Sequence, residues 1–351
     1  MNERSKESLK KYFAERYGKV KEIEKFGEGV LTKVYRVRFD DDTRDLIIRY
    51  PKECGGQEHP SDRAKNLLWG HDTYNRLPKH VKSVEVLILR KDGSLVPIGE
   101  YEEFIQVMEL ASPDSVEYFN DLDRILQNDL TEKDLKRATI LSDYLVDIHS
   151  VKRESPLEYM SRIRNLVGHG DGIMGIIDSY PSYNELDFTD PEELINIQKK
   201  AVEWKERIKG MYHRLSQVHG DFHPFGNIRF FENDDFEVLD RSRGEWGEPA
   251  DDVTCLSINY IFYALQDKGR FQGKFKKLYD TFLNNYIERT QDHEMFRVMQ
   301  PFYAWRGLVI ANPNFYPNLD YNVRRGLFNF INNVLDVDEF DPKEINSYLK
   351  N

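Results

Sequence analysis

Two cysteines, Cys54 and Cys255, are the only thiols among 351 residues. That is too few for a disulfide framework, so a reducing compartment, the cytoplasm, is expected. Long apolar runs are missing too: none approaches the ~20 residues that a membrane-spanning helix needs. The stretch Met1 to Lys11 is charged and has no apolar centre, which predicts no secretory signal. Positive charge is in deficit, with 50 Lys and Arg against 61 Asp and Glu and a formal net charge of −11. Phosphate backbones and anionic membranes both require a basic face, so neither nucleic acid nor membrane is expected as a partner. There is no internal repeat and no low-complexity tract, and nothing points to an obligatory protein partner.

What is present is a dense aromatic complement, 21 Phe, 20 Tyr and 4 Trp, mixed with 32% charged residues. This composition predicts a well-packed chain, and 351 residues exceed the usual single core, so two domains are expected. Helical spacing of Leu9, Tyr12 and Phe13 predicts a short helix over 5–17. Strand-like runs follow at 20–26, 33–39 and 46–50, the last two joined by the turn Asp40-Asp41-Asp42-Thr43. A helix is predicted over 61–77, then strands at 84–89 and 104–110 around the turn Lys91-Asp92-Gly93. Beyond Ala111 the pattern turns helical. Thr131 with Asp134 forms a capping-box signature opening a segment that reaches His149. Further helical patterns occupy 157–166, 192–215, 252–265, 271–289, 293–311 and 322–335. The fold class is therefore α+β. Residues 1–110 form a small antiparallel sheet with one helix, residues 111–351 a mainly helical domain, and the boundary falls near 108–112. A cleft between two such domains is the usual place for a nucleotide.

The segment Val218-His219-Gly220-Asp221-Phe222-His223-Pro224-Phe225-Gly226-Asn227, followed by Val238-Leu239-Asp240, carries the most chemistry. Asp221 can accept a proton from a hydroxyl nucleophile, while Asn227 and Asp240 offer the hard oxygens that Mg²⁺ takes when it also holds phosphates. Two short apolar runs, 228–231 and 236–239, flank the polar turn Glu232-Asn233-Asp234-Asp235, so a β-hairpin should return Asp240 towards Asn227. His219 flanks the base and is read as its support. Asp252, at the start of an apolar helix after Gly247-Glu248-Pro249, either caps that helix or braces the loop from beneath.

Near the N-terminus, Gly27 and Gly29, with Thr32 in place of a third glycine, stand between two strands. Such a turn lets backbone amides approach phosphate oxygens; a strand rather than a helix follows, which excludes a dinucleotide fingerprint. Arg49, on the strand after that turn, is either a phosphate-contacting cation or an edge-strand residue facing water. Asp72, on the following helix, is the acid chosen to orient it. Met108, Glu109 and Leu110 would offer backbone to an adenine edge.

These residues resemble the aminoglycoside phosphotransferase family, within the protein-kinase-like fold that also includes choline and homoserine kinases. The match rests on His219-Gly220-Asp221 with Asn227, on Asp240 after an apolar strand, and on Gly247-x-Pro249-x-x-Asp252. The resemblance implies Mg²⁺-dependent transfer of phosphate from ATP, the choice against GTP being left open by the sequence, to a hydroxyl of a small aminoglycoside-, sugar- or amino-alcohol-like acceptor. Asp221 would be the base, Asn227 and Asp240 the metal ligands, and Arg49 the phosphate contact. Acceptor candidates are His223, Arg241, Glu245, Trp246, Arg306 and Tyr316, with Arg243 and Trp305 nearby. Three features depart from the pattern: five residues rather than four separate Asp221 from Asn227, Arg49 replaces the commoner lysine, and Asp72 is shorter than glutamate. The inserted residue motivates an alternative, a catalytically weak or silent nucleotide-binding module that regulates a partner. A protein kinase fits less well, because no Ala-Pro-Glu activation segment is present.

Overall fold

The computed structural model describes residues 3–29, 31–40, 44–54, 56–74, 81–99, 105–106, 108–182, 186–241 and 243–351, without the side chains of 72 and 74. By its contacts the chain divides into Met1–Met108 and Glu109–Asn351.

In the first unit, α1 (Glu3–Arg16) buries Leu9 and Phe13, one turn apart, so that a single stripe faces inward. It leads into β1 (Val20–Glu28), β2 (Thr32–Phe39) and β3 (Leu46–Pro51), an antiparallel sheet in that order. Along β2, Tyr35, Val37 and Phe39 alternate inward and meet Ile23 and the α1 stripe in one core. Truncating Phe13 to alanine there would cost about 3–5 kcal/mol. α2 (Pro60–Tyr74) follows, its first turn closed by the Asp62 carboxylate accepting from the His59 amide at 2.9 Å. β4 (Leu87–Leu89) pairs with β5 (Leu95–Pro97) across a turn in which Gly93 has φ +90°.

Two sequence expectations fail here. No strand occupies 105–106 or 108–110, while Phe104 and Val107 lie outside the described residues. Ile105, Met108 and Leu110 stand 85%, 65% and 93% exposed, so the apolar run gains neither ladder nor burial. The real partner of β4 is Leu95–Pro97, which is too short to announce itself by alternation. Residues 41–43 of the expected turn also fall outside the described residues.

The second unit begins with β6 (Val116–Glu117), α3 (Phe119–Gln127), α4 (Glu132–His149), α5 (Pro156–Gly168), α6 (Ile173–Asp178) and α7 (Pro191–Ile208). Four short strands follow: β7 (Ser216–Gln217), β8 (Ile228–Phe230), β9 (Phe236–Val238) and β10 (Trp246–Gly247). Helices α8 (Pro249–Lys268), α9 (Gly273–Thr290), α10 (Gln300–Ala311), α11 (Tyr321–Leu335) and α12 (Ile345–Tyr348) complete it. The capping box at Thr131 and Asp134 is formed as expected. The helix anticipated over 192–215 stops at Ile208, just before Gly210, and that over 293–311 begins only at Gln300. Pro301 explains the second shift, because proline is tolerated in a first turn and not in a helix interior.

α8 is buried on every side from Pro249 to Leu265, and α10 nearly so. Helices apolar all round belong at the centre of a core. Polar residues on them, Asp251, Asp252 and Arg306, are therefore held away from water and must find partners within the protein. A Cβ on Gly307 would stand 2.9 Å from Ile331 Cγ1, so glycine lets α10 approach α11 closely beside Arg306.

Candidate active site

The loop between β7 and β8 holds Asp221 in place by backbone hydrogen bonds rather than by side-chain packing alone. Gly220 adopts φ +86°, which a residue with a Cβ reaches only at a cost. The amides of His219 and Gly220 both donate to the Asp252 carboxylate, each at 2.7 Å. His149 Nε2 lies 3.1 Å from the same carboxylate, and its Nδ1 lies 2.8 Å from the Tyr286 hydroxyl. This network assigns His149 as the Nε2–H tautomer, donating to Asp252 and accepting from Tyr286. Burial would raise the Asp252 pKa, but the donors from His149 and the His219 amide hold it below the usual range. The helix cap is Glu248, whose side chain accepts from the Ala250 amide; Asp252 is the brace and not the cap.

Asp221 itself is 8% exposed. Its Oδ1 receives Arg306 Nη1 at 2.7 Å and Arg243 Nη1 at 2.5 Å, with Cys255 Sγ 4.0 Å away. Its Oδ2 faces His223 Nε2 at 3.7 Å. Burial disfavours the charged carboxylate, yet the two guanidiniums override it and lower the pKa to about 2. His223 moves the other way from its usual behaviour beside an acid. Burial, assisted by the same arginines, lowers its pKa to about 4 against the pull of Asp221. His223 Nδ1 accepts the Phe225 amide at 3.1 Å, which leaves Nε2 as the protonated nitrogen facing Asp221.

The residue inserted before Asn227 does not bulge outward. Phe225 stacks on Phe119 at 5.6 Å and meets Tyr316 edge-on at 6.0 Å, while Gly226, with φ +82°, turns the chain back. Asn227 Nδ2 then donates to the Asp221 carbonyl at 2.9 Å, closing the loop on itself. β8 and β9 form the expected hairpin, with Ile228 opposite Val238. One step beyond the ladder, the Leu239 amide donates to the Asn227 carbonyl at 2.9 Å, so Asp240 is returned to the region of Asn227. Asp240 takes φ 57°, unusual for a residue other than glycine, and is exposed. A cavity of about 320 Å³ borders Asp240, His219, Arg241 and Tyr144. Among the described residues no group of three or more His, Cys, Asp or Glu is arranged to hold a metal.

The other expected contacts distribute differently. His219 Nδ1 accepts the Asp221 amide at 3.2 Å, and its Nε2 is buried without a partner among the described residues. Arg241 donates to the Val218 carbonyl at 3.0 and 2.8 Å, and to that of Glu245 at 3.2 Å, pinning the two loops together. Glu245 accepts the Trp246 indole N–H at 2.6 Å. Tyr316 is packed against Phe225 and Phe262, and burial pushes its hydroxyl up to about 12. Arg306 is 5% exposed, donating to Asp221, to the Gly220 carbonyl at 3.0 Å and to Asp251 at 2.5 Å, with its guanidinium 3.8 Å from the Trp305 ring centre. Sequence reasoning did not assign roles to His149, Asp251, Arg162 or Asp171. Only the doubled carboxylate Asp251-Asp252 at the start of α8 offered a signal.

In the first unit the Gly29 amide donates to the Thr32 carbonyl at 2.8 Å, and Thr32 is buried. Lys52 Nζ lies 2.8 Å from Glu28 and 3.2 Å from the Gly29 carbonyl, adding a cation to this turn that the sequence did not single out. Arg49 sits on the exposed face of β3, opposite Val34 of β2. The Asp72 side chain and Val30 of the glycine turn lie outside the described residues. Met108, Glu109 and Leu110 form irregular, exposed chain.

Among the described residues no helix is long and apolar enough to cross a membrane. No family model matches the chain, and no curated protein matches it. Among solved structures it is similar to an amicoumacin kinase in complex with AMP-PNP and Ca²⁺, at 14% identity and TM-score 0.43, covering 92% of this chain and 91% of that one. It is also similar to an ethanolamine kinase of Plasmodium vivax, at 16% identity and TM-score 0.36, covering 93% and 80%. A choline kinase of Streptococcus pneumoniae is similar at 15% identity and TM-score 0.35, covering 93% and 97%.

Proposed function

We propose that this chain is a phosphotransferase that moves the γ-phosphate of ATP, with Mg²⁺, to a hydroxyl of a small sugar-like acceptor. The observation that carries the proposal is the state of Asp221: a buried, ionised carboxylate with one oxygen fixed by two guanidiniums and the other directed to His223. A carboxylate held this way can receive and orient a hydroxyl at Oδ2 without itself moving. In the transfer the acceptor oxygen bonds to the γ-phosphorus and the bond from that phosphorus to the β,γ-bridging oxygen breaks. ADP departs, and the hydroxyl proton passes to Asp221.

The donor set suits a magnesium nucleotide. Asn227 has its Nδ2 committed to the Asp221 carbonyl, which turns its Oδ1 away from that contact. Asp240 is exposed one residue beyond the hairpin that returns to Asn227. Two hard oxygens with phosphate oxygens completing the shell is a usual arrangement for Mg²⁺, which would neutralise charge on the transferring group. In the first unit, Gly27, Gly29 and Thr32, Arg49 and the backbone of 108–110 are assigned to the nucleotide, and Asp72 to Arg49. Among the described residues a Cβ at Gly27 would meet nothing within 4 Å, and at Gly29 only the Thr32 carbonyl at 3.9 Å. Gly27 stands at an irregularity in the β1–β2 register, which itself suits glycine, and close approach of phosphates would be a further use of both positions. GTP would serve the same chemistry.

ADP release across a panel of hydroxylated acceptors tests the proposal. Asp221→Asn is expected to lower transfer by about 10²–10⁴ while Mg-ATP still raises the melting temperature. Asp240→Asn is expected to raise the Mg²⁺ concentration needed for half-maximal rate. Undiminished transfer by Asp221→Asn would remove the assigned base. Stabilisation by Mg-ATP with no turnover of any acceptor would instead mark a silent nucleotide-binding module.

A further inference from the structure

The phosphotransferase proposal leaves the acceptor's chemistry open, and the arrangement of arginines around Asp221 narrows it. Three guanidiniums and three carboxylates meet there: Arg162, Arg243 and Arg306 with Asp171, Asp221 and Asp251. Arg306 is enclosed, its two Nη atoms donating to Asp221, Gly220 and Asp251. Arg162 donates to the Arg243 carbonyl and stands 3.9 Å from Asp251. Arg243 is different. Its side chain is about one-fifth exposed, and its guanidinium lies 4.9 Å from the Trp305 ring centre. Nη1 reaches Asp221 and Nε donates to Asp171 Oδ2 at 2.8 Å, while among the described residues no partner meets Nη2.

Asp171 is the exposed member of the cluster, with 44% of its side chain open to water. It is held besides by His169, and its carbonyl accepts the Trp305 indole N–H at 2.8 Å. A surface carboxylate paired with one edge of a partly exposed guanidinium occupies the place that a ligand carboxylate would take, because the planar fork donates to two oxygens side by side. A cationic acceptor, by contrast, would meet carboxylates that already carry guanidiniums.

We propose that the acceptor is a hydroxy acid, and that Arg243 recognises its carboxylate in exchange for Asp171 while the neighbouring hydroxyl is received by Asp221. This rests on the phosphotransferase proposal for the transfer step, but the recognition of a carboxylate can be read without it.

The test uses two matched series that differ at one carbon: glycerate, glycerol and 3-aminopropane-1,2-diol, and gluconate, sorbitol and 1-amino-1-deoxysorbitol. Binding is measured calorimetrically on the full chain with Mg²⁺ and a non-hydrolysable ATP analogue, and transfer is measured with ATP. In at least one series the acid is expected to bind 10-fold or more tighter than its polyol. Arg243→Gln should collapse that ratio to below 3-fold, and Arg243→Lys should restore part of it. Asp171→Asn should tighten acid binding, since it removes the competing carboxylate; a merely structural role for Asp171 would weaken it. Polyol or amine binding as tightly as the acid, an equal loss for all three in Arg243→Gln, or no binding in either series would each overturn the proposal. Acid binding that depends on Arg243 without any transfer would leave the recognition standing and remove the phosphotransferase assignment.

Discussion

The glycine turn of the first unit and the Asp221 loop of the second both present glycines beside polar residues, yet the fold treats them oppositely. Gly27 and Gly29 stay outside the left-handed region and, among the described residues, have room for a side chain, and Arg49 stands on an exposed strand face. Gly220 is left-handed, and a Cβ there would lie 3.3 Å from that of Arg243; its amide and the next one upstream are both taken by the buried Asp252. The second loop is thus set in its conformation by the protein alone. Among the described residues neither space nor a left-handed backbone demands glycine in the first turn, which leaves its glycines available for the nucleotide contact proposed above. Preorganisation suits the residue proposed to receive the proton, because misplacement there would cost rate directly.

The largest expected effect comes from breaking the rigid side. Asp252→Ala would strand two buried amides and the His149 N–H, and is expected to cost about 3–5 kcal/mol, as loss of one partner from a buried charged network does. Urea unfolding measures it; a loss below about 1 kcal/mol would show that the loop is held by something other than Asp252. A paired substitution then sharpens the contrast between the two turns. Gly220→Ala forces a left-handed residue and is expected to lose about 1–2 kcal/mol. Gly27→Ala and Gly29→Ala are expected to leave stability unchanged or raise it by about 0.4–1 kcal/mol, while raising KM for ATP. Equal stability losses at all three positions would erase the distinction.

Much of this contrast was legible in the sequence because it lies in local patterns. Alternation over 33–39 and 46–50, the capping box at Thr131 and the hairpin around Asn233-Asp234 each specify their own geometry within a few residues. Asp221, Asn227 and Asp240 were legible because the hairpin connects them through a short stretch of chain. His149 was not singled out, and Arg306, expected as an acceptor contact, was not placed on Asp221, since their contacts with Asp252 and Asp221 span 103 and 85 residues and no spacing rule reports such a meeting. Arg306 has the composition of a surface residue and sits on a helix apolar all round; its burial follows only once α10 is known to be central. The expected strand over 104–110 erred for the converse reason, an apolar run that the described residues do not bury.

The smallest effect isolates one group of the rigid loop. Burial lowers the His223 pKa to about 4 in the folded chain, against about 6.5 for an unfolded histidine. Between those values the unfolded chain carries a proton that the folded one lacks. His223 therefore contributes stability that is fully present above pH 6.5, is lost as pH falls through the window, and changes no further below 4. The Asp221 contribution falls outside that window, being present above its unfolded value near 3.9 and lost as pH descends towards 2. Multiplying each urea midpoint by its m-value and subtracting the His223→Asn stability from that of the wild type at pH 7, 5.5 and 4.5 cancels the other groups. The difference is expected to shrink steadily with acid, at no more than about 1.4 kcal/mol per pH unit. A difference independent of pH would mean that His223 is as accessible to protons in the folded loop as in the unfolded chain, and that the burial assigned to the Asp221 site does not extend to its Oδ2 side.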